Sequence, residues 1–142
     1  MKSSRKAREM ALQILFQKDF HENSNPRDLF NSFADNFSFD PPTRDYSLFL
    51  VTSVLENDEE ISSIIAKHSD NWRLDRMSSI DRILLKMATF EICLSTQTET
   101  APKLCIIDTL DLAKKYSSHE SKNFINGILD QIFNSESIST SS

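Results

Sequence analysis

The sequence predicts an all-helical fold, and three observations carry that prediction. The chain of 142 residues holds one glycine and four prolines, too few for a run of hairpin turns or for a phosphate-cradling glycine loop. Apolar residues recur at helical spacing in one segment after another. One segment, 78–93, is apolar over more than half of its helical circumference, with Ile83, Leu84, Leu85, Met87, Phe90 and Ile92 among the residues that cover it. Only Arg82, Lys86 and Thr89 form a clear polar strip there. A helix apolar over most of its girth must be surrounded by others, so 78–93 is the predicted central helix. Ser78, followed three residues later by Asp81, predicts a capping box at its start.

The first helix is predicted over Ser4–Phe20. Ala7, Met10, Ala11, Ile14 and Leu15 form one apolar stripe; Leu12, Phe16 and Phe20 form a second, on the side that also carries Arg5, Glu9 and Gln13. Lys2, Arg5, Lys6 and Arg8 precede the first acid and make the one basic cluster unbroken by acids. The cluster reads as a solvated helix start or as a phosphate-binding patch, and cations are electrostatically unfavourable in a first helical turn. Phe16 projects within about 20° of Arg5 by the helical period. It reads as a core ring, the commoner place for an aromatic, or as a base-stacking platform beside a cation.

A loop over 21–25 follows, and Asn25 and Pro26 cap a short helix over 27–36 that buries Leu29, Phe30 and Phe33. The double proline in a connector over 37–42 stops helix propagation, and a third helix is predicted over 43–56 with Tyr46, Phe49, Leu50, Val54 and Leu55 inward. The acidic run 57–60 reads as the cap and first turn of a fourth helix ending near His68, with Ile61, Ile64 and Ile65 as its face. A tight connector over 69–77, pinned by Trp72, leads into the central helix. After a polar loop over 95–100, Pro102 opens a sixth helix over 103–116, with Cys105, Ile106, Leu110, Leu112, Ala113 and Tyr116 inward. Ser117 and Ser118 cap the last helix, about 120–134, whose apolar arc is Phe124, Ile125, Ile128, Leu129, Ile132 and Phe133. Gly127 lies in its middle, where glycine costs about 0.5–1 kcal/mol against alanine. A close approach to the backbone is predicted there, by a neighbouring helix or by a ligand. The expected organisation is one all-helical domain over 1–134, with an N-terminal bundle of about 4–56 and a C-terminal bundle of about 58–134, and a disordered serine-rich tail over 135–142.

Composition narrows the chemistry. A net charge of −5 excludes a protein that binds nucleic acid by its overall field, so such binding needs a local basic patch. Cys93 and Cys105 both sit in apolar helical patterns and read as reduced, buried thiols. The N-terminal run lacks a small-residue cleavage site, and Arg8 and Glu9 abut it, so no signal peptide is expected; no stretch is apolar enough to span a bilayer. A cytoplasmic protein is the expectation. His21, His68 and His119 lie in separate segments without metal-spaced partners, and no nucleophile motif occurs; neither catalysis nor a cofactor is expected. Asp81 and Glu91 project into the apolar arc of the central helix. Asp81 has the capping role, whereas a buried acid at Glu91 needs a partner, from Arg73, Arg76 or a lysine of a bound protein, unless it reaches water at the helix end.

Three stretches, RKAREMALQILFQKD, WRLDRMSSIDRILLKMATFEI and APKLCIIDTLDLAKKYSSHESKNFINGILD, resemble the signature blocks of the NusB family of transcription antitermination proteins, in the family's order and near its spacing. They cover about half the chain. The resemblance implies a seven-helix fold of two packed three-helix bundles. It also implies binding of boxA-type RNA from ribosomal RNA leaders together with NusE, a protein of the small ribosomal subunit, in an antitermination complex with RNA polymerase, and no membrane. By the same resemblance, the family's basic motif falls on Lys2, Arg5, Lys6 and Arg8, its C-terminal RNA-contacting segment on Glu120, Ser121, Lys122, Phe124 and Asn126, and the acid turned towards NusE on Asp81. The basic block is less arginine-dense than in strong family members, and Phe16 stands where some members have tyrosine. Two other readings remain: a helical protein-interaction module without RNA contact, and a relative of the RNA-binding domain of ribosomal RNA methyltransferases. For the latter, no methyl-donor-binding glycine loop is present, so catalysis in cis is not expected.

Overall fold

The computed structural model describes residues 4–20, 25, 28, 31, 40–69, 77–95 and 101–137. Among them are six α-helices and no strand: α1 Ser4–Phe20, α2 Pro41–Glu56, α3 Asp58–His68, α4 Ser79–Thr89, α5 Pro102–Tyr116 and α6 His119–Ile132. The chain divides into two compact units, Met1–Glu56 and Asn57–Ser142. The helix expected over 27–36 falls outside the described residues apart from Asp28 and Asn31, both helical. Trp72 also falls outside them, while Ser69 and Met77 at the ends of its connector are buried.

In the first unit α1 packs against α2. The double proline does not precede α2 but opens it, because the first helical positions need no N–H partner and proline's fixed φ suits them. Asp40 is the cap. Its carboxylate accepts from the Thr43 hydroxyl at 2.6 Å and from the Thr43 N–H at 3.3 Å, and its carbonyl accepts from the Arg44 N–H at 3.1 Å. Leu50, Val51 and Val54 carry the buried face of α2.

In the second unit α4 packs against α3, α5 and α6, the central position its apolar girth demands. Its polar strip is largely covered. Thr89 is buried, and Lys86 reaches the first turn of α3 to pair with Asp58 at 2.6 Å. Asn57 makes no side-chain cap on α3, although its carbonyl accepts the Ile61 N–H at 2.9 Å. The helix does not stop at Thr89. It widens into a π-helical turn, Phe90–Leu94, closed by the Ser95 N–H on the Phe90 carbonyl at 3.0 Å. A second π-helical turn, Phe133–Ser137, prolongs α6 into the stretch expected to be disordered. Gly127 is exposed, and among the described residues nothing lies within 4 Å of where its Cβ would be, so none of the described helices is the reason for it. Cys105 is buried and Cys93 half-buried, both as reduced thiols outside any disulfide.

Candidate nucleic-acid interface

On α1 the buried arc comprises Ala7, Met10, Ala11, Leu12, Ile14 and Leu15. Arg5 and Lys6 are exposed, and Glu9, Gln13 and Phe16 are half-buried on the same side of the helix. Phe16 is therefore neither a core ring nor a fully presented one. Arg8 departs from the expectation of a surface cation: it is 1% exposed and engaged within the protein. Its helical projection lies about 20° from Leu15 and 40° from Leu12, between two buried leucines of the apolar arc, and a long side chain there follows its neighbours inward. Lys2 lies outside the described residues.

Among the described residues the basic face of α1 thus rests on Arg5 and Lys6, with Glu9 on the same side of the helix and the Asp40 carboxylate within electrostatic reach of Lys6. The Thr43 hydroxyl is the main reason the Asp40 carboxyl is held below its ordinary range; the Thr43 N–H contributes, and Lys6 adds a smaller pull. Two cations with an acid nearby can position a phosphate backbone but make a modest electrostatic footprint.

On α6 the residues carried over from the family occupy different environments. Glu120 is exposed, and Lys122, Phe124 and Asn126 are half-buried. By the helical period Phe124 and Glu120 border one edge of the buried arc and Lys122 and Asn126 the other, with Asn123 and Gly127 exposed between them. This face offers one aromatic ring, two side-chain amides and a bare stretch of backbone, but a single lysine. Groups of this kind are suited to stacking on and hydrogen-bonding to unpaired bases, and one lysine neutralises few phosphates.

Ser121 is used inside the protein. Its N–H donates to the Ser118 hydroxyl at 3.0 Å, which caps α6, and its own hydroxyl donates to Asp81 Oδ2 at 2.7 Å and accepts from the Ser117 hydroxyl at 2.9 Å. Asp81 is 7% exposed, so only half of the expected capping box forms: Ser78 accepts from the Asp81 N–H at 3.2 Å, while the Asp81 carboxylate turns to α6. Glu91 is 2% exposed and accepts from the Cys105 thiol at 3.7 Å. It does not escape to water because the π-helical turn carries the helix past it. The two acids expected to face a partner are therefore both directed inward. Sequence reasoning missed the contact between Asp81 and Ser121. Its signal was a polar residue on the buried arc of each helix, Asp81 in line with Leu84, Leu85 and Ala88, and Ser121 in line with Ile125 and Ile128.

Residues 5–134 match the NusB family. The chain belongs to the NusB family. Its relatives include the transcription antitermination protein NusB of Salinibacter ruber, 36% identical over 132 residues that cover 93% of this chain and 81% of that protein. The NusB of Bdellovibrio bacteriovorus is 37% identical over 130 residues, covering 90% of this chain and 93% of that one. Among solved structures, a complex of the antitermination factors NusB and NusE with double-stranded RNA superimposes with a TM-score of 0.82 at 30% identity, covering 94% of this chain and 98% of that one. The all-α NusB fold expected from the sequence is the fold observed, with six helices rather than seven among the described residues.

Proposed function

We propose that this chain is a transcription antitermination factor that binds boxA-type RNA of ribosomal RNA leaders together with NusE and promotes read-through by RNA polymerase. The observation that carries the reading is the match of 130 residues, 5–134, to the NusB family, together with a fold shared with a NusB in complex with NusE and RNA. The protein acts by binding alone. Arg5 and Lys6 hold phosphates, and Phe124, Asn126 and Lys122 on α6 meet bases and the adjoining backbone. Glu120 is exposed beside them, where an acid can accept from a base amino group or repel a misplaced phosphate. Phe16 is a flanking apolar contact. Arg8, Asp81 and Glu91 are left out of the contact surface because they are buried.

A gel-shift titration with a boxA RNA and a scrambled RNA, with and without NusE, tests this. The boxA RNA should shift at lower protein concentration than the scrambled one, and NusE should lower that concentration further. Equal shifts of the two RNAs under both conditions would leave a helical interaction module in place of the proposal.

A further inference from the structure

The Asp81 carboxylate lies in the first turn of α4, where it favours the helix dipole, but it makes no cap bond there. Ser78 already caps α4 by accepting from the Asp81 N–H, and the Asp81 side chain leaves that helix to take the Ser121 hydroxyl, 40 residues away in the chain, at 2.7 Å. Its other oxygen, Oδ1, is buried and has no donor among the described residues. A buried acceptor without a donor is costly, and an apolar residue at this position would avoid that cost. What the carboxylate supplies is a fixed acceptor for Ser121, which in turn accepts from Ser117, the residue before the α6 cap. The chain Ser117–Ser121–Asp81 thus anchors the first turn of α6 to the central helix of the unit. The Ser118 cap serves the Ser121 N–H, but the other N–H groups of the first turn have no partners within the helix, so a turn held by that cap alone frays more readily than one also tied to α4.

We propose that Asp81 is a positioning residue for RNA binding, acting through Ser121 to hold the first turn of α6 in the conformation that meets RNA. The proposal rests on the reading of α6 as an RNA-contacting helix. Glu120, Lys122 and Phe124 lie on or directly after the anchored turn, so its order sets the fraction of molecules ready to bind. Apparent affinity falls in proportion to that fraction. Asp81 therefore affects RNA without touching it.

The test is RNA titration of the full chain with NusE present, for the wild type, Ser121→Ala, Asp81→Ala, the double variant and Asp81→Asn. Melting is followed in each, and affinities are compared well below the lowest transition. Ser121→Ala and Asp81→Ala should each weaken binding by about three- to tenfold. The double variant should be no weaker than either single one, because both remove the same contact. Asp81→Asn keeps an oxygen that can accept from Ser121 and should bind within about twofold of the wild type. The salt dependence should be unchanged throughout, since no phosphate contact is lost. Additive losses, or a Ser121→Ala variant that binds like the wild type, would overturn the proposal, and Asp81→Asn as weak as Asp81→Ala would make the acid a charge contact instead. Should Asp81→Ala fail to fold, Ser121→Ala, which deletes a single oxygen, decides alone. A wild type that does not discriminate boxA RNA would remove the RNA reading of α6 and this proposal with it, whereas normal wild-type binding with silent variants would remove only the proposal.

Discussion

Arg5, Lys6 and Arg8 look equivalent in the sequence and are not equivalent in the structure, so replacing them separately tests where the phosphate contacts are. Arg5 and Lys6 are exposed, whereas Arg8 is 1% exposed. Each lysine or arginine that neutralises a phosphate of a single strand contributes about 0.7 to the slope of log affinity against log salt. The double variant Arg5→Ala/Lys6→Ala should flatten that slope by about 1.4, not by the ~2.1 that three surface contacts would give. Its stability should hold or rise slightly, because cations in the first turn oppose the helix dipole by roughly 0.3–1 kcal/mol each. Arg8→Ala should do the reverse. It opens a cavity and strands the groups that engage the guanidinium, at a cost of about 2–5 kcal/mol, while the molecules that remain folded keep the wild-type slope. Fluorescence anisotropy of a labelled boxA RNA across a range of salt, with thermal melts of each variant, reads both quantities. A slope flattened by Arg8→Ala as much as by one exposed cation, or left unchanged in the double variant, would refute the assignment of the basic face.

Phe124→Ala should lose about 1–3 kcal/mol of RNA affinity if the ring stacks on a base, with the salt slope intact; an unchanged affinity in the folded variant would assign Phe124 to packing alone. Gly127→Ala should stabilise the protein by about 0.5–1 kcal/mol, because its Cβ meets nothing within 4 Å among the described residues, and a destabilised variant would show a constraint the open surface does not reveal. The Asp40 carboxyl is held below its ordinary range mainly by the Thr43 hydroxyl. The unfolded chain, at about 3.9, therefore takes up the proton first as pH falls. The stabilising effect of this cap is complete above that value and is lost as pH falls through the lower folded one. In acid melts Asp40→Asn should show a shallower loss of stability over that window, and an identical acid profile would remove Asp40 from it.

The helices were legible because their apolar arcs are long and regular: α1, α3 and α5 begin and end within a residue of where periodicity and caps put them. Pro41 and Pro42 were misread because the same residue type that stops a helix also opens one, and only the position of Asp40 as cap decides which. The π-helical turns at Phe90 and Phe133 could not be read, since their pattern of side chains differs from an α-helix by a single added residue. Of the candidate site, the exposed residues Arg5, Lys6 and Glu120 follow from the sequence. Arg8, Asp81 and Glu91 do not behave as their charge suggests, and in each case the helical projection, which places them among leucines and isoleucines, outweighs the charge. The contact between Asp81 and Ser121 joins residues 40 positions apart, and no local pattern specifies such a pairing.

The central claim is that RNA and NusE bind this protein as coupled partners. With two exposed cations among the described residues of its basic helix, this acidic protein is expected to make few phosphate contacts of its own, and a basic ribosomal protein on the same RNA would supply more. Coupling between two ligands is reciprocal. The most direct measurement is isothermal titration of NusE into the protein with and without saturating boxA RNA, paired with titration of the RNA with and without saturating NusE. Each ligand should raise the affinity for the other by the same factor, at least about tenfold, or ~1.4 kcal/mol. Unchanged affinities in both directions would contradict the claim.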